Sequence, residues 1–521
     1  MKLRDLLPAR REVLPAALAA LLLFVAYAPA SLVVPSFGAL VPFLWSLEDA
    51  QATGRAAAPG RLRDFLHGYW FGVWANGVVL YWIFIALFHF TPLSLAGYLA
   101  AVFIVLAPMW GIVSLVYLRV RTRTTIPVWV LFPLIWTAVE FLQAHLGDLR
   151  FPWLGLGTSL VRAPILVQWA DLAGARGVTL WLAWANAMVY LALRDRTGAG
   201  RRLALVLLTV LLALGYGARR EATLVMRPVT TVAVVQPNVG FKEKREARER
   251  DTLALELLAL TRRADSIPGV RLVAWPEAAL EGYFATKPEW PDWIGSVARG
   301  AGIPILAGGL DVEFNPDGSY KDYYNAAFLF DTSGSYTAQP SYRKTFLVPI
   351  VERVPILNPR WFGDLKWFGG FGIGRRFPVY RIREGGFGVL ICYESAFEQL
   401  ARDYRRRGAD FLVNITNDAW FGVTAAPYQH ASHLVMRAIE NRVGIARAAN
   451  TGISEFVDPL GHVHLATALN VQRVEASPVL TTDVRTLYVR LGDWVALVAV
   501  VGAVACLVAS HVGKNARGAA P

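Results

Sequence analysis

The chain has 521 residues, long enough for two or more domains, and 55% of them are hydrophobic, too apolar for an ordinary soluble enzyme. The net charge of +13 sits as arginine clusters in short loops between apolar runs, a membrane-protein pattern that argues against nucleic acid as the partner. Two cysteines exclude a disulfide framework and a cysteine-based metal site.

Residues 13–47 carry no charge, and one membrane crossing needs roughly 20 residues, so this stretch predicts two tightly connected spans. It is too long, and followed by too many further apolar runs, to be a cleaved signal peptide. More such runs cover 65–89, 96–118, 126–144, 174–193 and 203–218, and a last one covers 490–512, giving eight predicted spans. Within the last run lies Cys506, read as apolar packing. Glu140 stands inside the fifth span, where a charge is expensive and calls for a polar crevice or a partner. Basic clusters at Lys2–Arg11, Arg55–Arg63, Arg119–Arg123, Arg194–Arg202 and Lys514–Arg517 all fall on one side if the N-terminus is cytoplasmic. The expected organisation is spans one to seven within 1–218, a globular domain at 219–488 outside the cytoplasm, the eighth span at 489–512 and a cytoplasmic tail at 513–521.

The globular segment alternates buried-strand and helical patterns, predicting a sheet covered by helices. Strand-like runs are TTVAVVQPN at 230, VRLVAWPE at 270, IPILAGGL at 303, NAAFLFD at 325, FGVLICYES at 387 and ADFLVNITND at 409. Helical patterns are DTLALELLALTRRAD and YQHASHLVMRAIENRVGIARAA. The basic stretch RDYRRRGAD, 402–410, reads as a solvated helix face, with attraction to anionic lipid as the alternative.

Three stretches carry candidate chemistry. Cys392 ends an apolar run, and a strand end that turns sharply holds a side chain in the crevice beyond the sheet. A cysteine is nucleophilic only as the thiolate, so it needs a base or a cation nearby. Glu277 follows Trp275-Pro276 at another strand end, and Lys344 precedes an apolar run that leads to Glu352. A carboxylate takes a thiol proton, an ammonium stabilises thiolate and oxyanion, and the Tyr393 N–H after the cysteine is a second oxyanion donor. A fourth stretch, NITNDAWFG, runs a strand into a polar turn with Asn417 and Trp420. No histidine accompanies these stretches, which disfavours a Cys-His pair. His430 and His433 sit three apart on a predicted helix with no acidic partner in the pattern, so no metal site is expected.

Glu277, Lys344 and Cys392 stand in the chain order of the Glu-Lys-Cys set of the nitrilase superfamily, a four-layered αββα sandwich. Together with the spans, RFPWLGLGTSL, VVQPN, LVPIVERVP, CYES and NDAWFG, the whole chain resembles the apolipoprotein N-acyltransferase family, a membrane-integrated branch. The resemblance implies a multi-pass helical domain plus a nitrilase-like α/β sandwich in the bacterial inner membrane, with the sandwich periplasmic. It implies transfer of an acyl chain from the sn-1 position of a phospholipid, typically phosphatidylethanolamine, to a thioester on Cys392. The α-amine of an apolipoprotein's N-terminal diacylglyceryl-cysteine then takes the acyl chain, with no cofactor. Glu277 is implied as general base and Lys344 as stabiliser of thiolate and oxyanion. Glu352 is implied to support the lysine, with Tyr393 and Glu394 shaping the pocket. Two positions depart from the family pattern: Phe346 stands where a histidine often follows the lysine, and Ile350-Val351 where Phe-Gly often precedes the glutamate.

Acyl chains stay in the bilayer because each buried CH₂ is worth about 0.8 kcal/mol. The loop NPRWFGDLKWFGGFGIGRRF, 358–377, is therefore expected to be a lid at the interface. Its lid residues are Trp361, Phe362, Trp367, Phe368 and Phe371, with Arg375 and Arg376 near lipid phosphates. Two competing readings are a membrane-tethered amidase or nitrile hydrolase, and a transporter with a ligand-binding outer domain. The number of spans argues against the first, and their scarcity of ionisable groups against the second.

Overall fold

The computed structural model describes residues 6–52, 61–88, 92–240, 250–280, 284, 287, 289–353 and 370–517. The chain divides into two compact units, 1–222 with 491–521, and 223–490.

The first unit is helical: α1 (Arg10–Ala26), α2 (Val41–Ala52), α3 (Arg61–Val79), α4 (Trp82–Phe88), α5 (Ser94–Arg121), α6 (Val128–Gln143), α7 (Ala170–Arg194) and α8 (Ala199–Thr223), joined by the C-terminal helix Trp494–Arg517. By length and composition, three helices among the described residues can cross a membrane: α5, α8 and Trp494–Val512. A fourth qualifies if Leu62–Val79 and Trp82–Phe88, bent by 62° at a short break, count as one span. Hydropathy predicts eight. The shortfall has a local cause, since α1, α2 and α6 have 17, 12 and 16 residues, under the roughly 20 of a straight crossing. In α7, Gly174 adopts φ +68° and interrupts the helix. Charges inside this unit are paired, as an apolar setting demands. Arg121 Nε lies 2.8 Å from Glu48 Oε1, which also accepts from Tyr117 Oη at 2.6 Å. Glu140 is the buried partner of Arg176 and accepts from Thr179 Oγ1 at 2.7 Å and Leu156 N at 2.9 Å. The partner expected for Glu140 is thus Arg176.

The second unit is a sandwich of two six-stranded sheets, ordered β12-β1-β2-β3-β4-β5 and β11-β10-β9-β8-β7-β6. The first sheet contains β1 (Arg227–Gln236), β2 (Val270–Ala274), β3 (Ile305–Phe314), β4 (Tyr320–Phe330), β5 (Tyr342–Arg343) and β12 (Arg473–Thr481). The second contains β6 (Tyr380–Ile382), β7 (Gly385–Ile391), β8 (Phe411–Thr416), β9 (Ile445–Ala449), β10 (Glu455–Val457) and β11 (Val463–His464). Helices α9 (Arg250–Asp265) and α10 (Glu289–Ala301) pack with the first sheet in one apolar core around Trp275, Trp290, Leu257 and Phe330. Helices α11 (Glu398–Arg406) and α12 (Ala426–Asn441) pack with the second. The result is an α/β sandwich with helices packed on both sheets. Strands covered on both sides read as continuous apolar runs, which is why β1, β2, β7 and β8 were visible in the sequence. All six residues of β8 are buried.

One predicted helix ends in a strand. The pattern from Tyr428 to Ala449 forms α12 only as far as Asn441, because Arg442 turns left-handed at φ +52° and ends it. Val443 and Gly444 then lead into β9. The basic stretch at 402–410 is solvated only in part, with Arg406 and Arg407 exposed. Arg402 and Arg405 are buried, Arg402 donating to Tyr488 Oη at 2.8 Å and Arg405 to the carbonyls of Ala409 and Thr482 at 3.1 and 2.6 Å. These arginines tie α11 to the segment that closes the unit.

Candidate active site

Parallel pairing sets the geometry of the site. β1, β2 and β3 run parallel in one sheet, as do β7, β8 and β9 in the other. Side chains just past the carboxyl ends of such strands face the crevice where open α/β sheets bind ligands. Glu277 follows β2 by three residues, Cys392 follows β7 directly, and Asn417 follows β8 directly. The register Ile391↔Ile415 sets Cys392 opposite Thr416. Lys344 follows the short β5, and its N–H donates to Asn325 O on β4 at 2.8 Å.

The turns that present these residues are strained at non-glycine positions. Ala278, Ile350 and Cys392 have φ of +44°, +70° and +52°. L-residues seldom adopt that region, at a cost on the order of 1–3 kcal/mol each, and they cluster where a side chain must be aimed. The Glu277 turn also needs a bare backbone beneath it. A Cβ on Gly308 of β3 would lie 2.3 Å from Pro276 O and 2.8 Å from Glu277 Cα.

At the centre, Lys344 is 1% exposed and its Nζ is shared between two carboxylates, 3.0 Å from Glu277 Oε1 and 2.9 Å from Glu352 Oε1. The remaining oxygens are held by backbone. Asn417 N donates to Glu277 Oε2 at 2.9 Å, and Val348 N to Glu352 Oε2 at 2.8 Å. Burial alone would lower the lysine's pKa, but the Glu277 and Glu352 carboxylates raise it well above the usual lysine value. The ammonium is therefore permanent. Cys392 moves the same way for different reasons: burial and the Glu277 charge raise its pKa well above the ordinary thiol value, against the lowering pull of Lys344. At rest the sulfur is a protonated thiol, and a nucleophilic step needs a base to take the proton. Glu277 and Lys344 both stand close enough to Cys392 to act on it electrostatically.

The remaining predicted residues distribute around this centre. Glu394 is fully buried and accepts from Ile391 N at 2.7 Å, Thr345 N at 2.7 Å, Phe346 N at 3.2 Å and Tyr342 Oη at 2.6 Å. It braces the lysine segment against the cysteine turn, and burial pushes its carboxyl up to about 7. Tyr393 is buried, with its ring edge-on to Phe397 at 5.0 Å. The ring of Phe346 stacks on the same Phe397 ring, with centroids 4.2 Å apart. Trp420 is half-buried in the turn Asp418–Phe421 that follows Asn417. Of the lid candidates, Trp361, Phe362, Trp367 and Phe368 lie outside the described residues. Phe371 N donates to Glu352 O at 3.2 Å and its ring sits 5.5 Å from Tyr323, while Arg375 and Arg376 are exposed.

Sequence reasoning missed two features. Asn325, a polar residue inside the apolar run of β4, donates through Nδ2 to Glu277 Oε1 at 2.7 Å and to Glu352 Oε1 at 3.0 Å. Behind the cysteine lies a second buried charge cluster. Asp418 accepts from Thr416 Oγ1 at 3.0 Å, pairs with Arg447 at 2.8 Å and meets His430 Nδ1 at 2.9 Å. Burial alone would raise the Asp418 carboxyl, but Arg447 and His430 hold it down at about 2. A Cβ on Gly452 would lie 2.2 Å from Asp418 Oδ2, so this approach requires glycine. His430 therefore has the acidic partner that the sequence pattern did not reveal. Among the described residues no group of three or more His, Cys, Asp or Glu is placed to hold a metal. The available signal was an arginine in the middle of a fully buried strand, β9, which demands a carboxylate nearby.

The carbon-nitrogen hydrolase profile matches residues 231–484, and the apolipoprotein N-acyltransferase N-terminal domain profile matches residues 19–188. The chain is similar to the apolipoprotein N-acyltransferase of Geobacter metallireducens, 32% identical over 452 residues, covering 85% of this chain and 86% of that one. The enzyme of that name from Chlorobaculum tepidum is 30% identical over 480 residues, covering 86% and 85%. The one from Bradyrhizobium diazoefficiens is 31% identical over 542 residues, covering 97% and 96%. With both profiles matched in order and relatives alike over most of their length, the chain belongs to the apolipoprotein N-acyltransferase family and is an acyltransferase.

Proposed function

We propose that the protein moves a fatty acyl chain from a membrane phospholipid, with phosphatidylethanolamine as the donor, to the N-terminal diacylglyceryl-cysteine amine of apolipoproteins. The observation that carries the reading is the buried Lys344 ammonium shared by Glu277 and Glu352, with the protonated Cys392 thiol within their electrostatic reach. In the first half-reaction Glu277 takes the thiol proton and the sulfur attacks the ester carbonyl carbon. Lys344 and the Tyr393 N–H stabilise the resulting oxyanion. The C–O bond breaks, the proton on Glu277 passes to the leaving alkoxide, and a lysophospholipid departs, leaving a Cys392 thioester. In the second half-reaction the lipoprotein amine attacks the thioester carbon. The C–S bond breaks, the surplus amine proton reaches the sulfur by way of Glu277, and an amide results. Splitting a slow ester-to-amide exchange into two steps is the usual gain of covalent catalysis.

The hydropathy pattern supports an inner-membrane protein of eight passes, spans one to seven within 1–218 and the last at 489–512, with the sandwich on the periplasmic side. Helices α1 and α2, α3–α4, α5, α6, α7, α8 and Trp494–Arg517 overlap the seven apolar runs from which the eight passes are read. The test is to reconstitute the purified protein in phosphatidylethanolamine vesicles with a synthetic diacylglyceryl-cysteine peptide and to weigh the peptide by mass spectrometry. The expected product carries one more acyl chain in amide linkage, and Cys392→Ala gives none. Free fatty acid in its place, with the peptide unchanged, would make the protein a hydrolase and contradict the proposal.

A further inference from the structure

Asn325 supplies the only amide among the described residues that bridges the two carboxylates around Lys344. Its Nδ2 lies 2.7 Å from Glu277 Oε1 and 3.0 Å from Glu352 Oε1, the same two oxygens that accept from Lys344 Nζ. The four groups form a closed ring of lysine, glutamate, asparagine and glutamate. We infer that Asn325 is a positioning residue that acts through Glu277, holding the two carboxylates together while leaving the cluster one negative charge in excess.

Three observations support this. First, the orientation of the amide is dictated by charge, since a reversed amide would set its oxygen against two carboxylates. Second, among the described residues the Asn325 Oδ1 is buried and has no hydrogen-bond partner. Leaving a buried carbonyl unsatisfied is unfavourable, so what keeps this side chain in place is the work of its Nδ2. Third, the donor is neutral. Two carboxylates facing one ammonium leave the cluster a net charge of −1. A second cation here would neutralise the cluster and weaken the base, whereas an apolar side chain would leave like charges with one donor fewer. The backbone adds a reason for the position, because Asn325 O accepts from Lys344 N at 2.8 Å and fixes the lysine on the same strand residue.

The inference rests on the proposed role of Glu277 as the base for Cys392. The test measures acylation of Cys392 by phospholipid, from pH 5 to pH 9, in full-length wild type, Asn325→Leu and Asn325→Asp. Leucine keeps the size and removes the donor, and aspartate keeps the shape and adds a third acid. With leucine we expect acylation to slow by about 10- to 100-fold and its acidic limb to move to higher pH, because the carboxylates lose a donor that favours their charged form. With aspartate the limb moves further in the same direction. If the folded variants acylate with an unshifted limb, the inference is overturned while the role of Cys392 stands. Loss of folding in both variants also overturns it, because it assigns Asn325 to stability. If wild type itself forms no acyl-Cys392, it is the proposed function that fails.

Discussion

Removing the lysine ammonium exposes how much of the site depends on charge balance. Consider Lys344→Met, which preserves the length of the side chain and deletes the charge. Nζ stands 3.0 and 2.9 Å from two carboxylate oxygens, and at an effective dielectric near 20 each contact is worth about 5 kcal/mol of attraction. Desolvation offsets part of this, and in the variant one carboxyl relieves the repulsion by binding a proton. The expected net loss is that of a broken buried ion pair, about 3–5 kcal/mol. For a unit of this size about 2–4 °C of melting temperature accompanies each kcal/mol, so the apparent melting temperature of the detergent-solubilised full chain at pH 7.5 should fall by roughly 6–20 °C. The variant also acquires a pH signature. A carboxyl whose folded pKa is raised above its unfolded value stabilises the fold when protonated, so Lys344→Met should melt higher at pH 5 than at pH 8. Adding Glu352→Gln removes one of the two facing charges and should recover about half of the lost stability without restoring acylation. A single variant melting within about 1 °C of wild type, or a double variant no better than the single, would refute the reasoning.

Three further predictions concern other parts of the molecule. Cys392 should react with iodoacetamide at a rate that climbs through pH 9 without reaching a plateau, since burial and Glu277 hold the thiol protonated; a plateau below pH 8, measured by mass of the alkylated protein, would mean that the resting sulfur is already a thiolate. Asp418, held at about 2 in the fold, contributes about 2 kcal/mol that is present above pH 4 and lost as the pH falls towards 2. Asp418→Asn should abolish that part of the acid-denaturation profile and lower stability at neutral pH by about 3–5 kcal/mol, because Arg447 is left buried without its carboxylate. In the helical unit, Glu140→Gln removes the charge that faces Arg176, whose residue is 2% exposed. The full chain should then melt lower, and Glu140→Gln combined with Arg176→Met should melt above the single variant.

How much of this was legible before any coordinates depended on the kind of signal. Strands buried on both faces announce themselves as apolar runs, and each predicted site residue near the end of such a run, Glu277, Cys392 and Asn417, falls where parallel strands open into a crevice. Lys344 is harder to read, because β5 has only two residues and nothing local marks the lysine as buried. Asn325, Asp418 and Arg447 escaped notice for a related reason: a polar residue in or beside an apolar run has no periodic signature, and its partner lies well along the chain, 48 residues from Asn325 to Glu277 and 29 from Arg447 to Asp418. β9 was read as helix because nothing in a helical pattern reveals that Arg442 will turn left-handed. Hydropathy located seven apolar runs but not the helix lengths, since short helices linked by turns have the same average composition as long ones.

The central claim is that one sulfur carries the acyl chain between donor and acceptor. Its most direct test is intact-protein mass spectrometry of the purified enzyme after incubation with phosphatidylethanolamine and no acceptor peptide. The account predicts a mass increase of one fatty acyl group, located on Cys392 by digestion, released by neutral hydroxylamine as a thioester must be, and discharged when the diacylglyceryl-cysteine peptide is added. Acylated peptide formed by an enzyme that never carries an acyl group on Cys392, or formed equally well by Cys392→Ala, would contradict it.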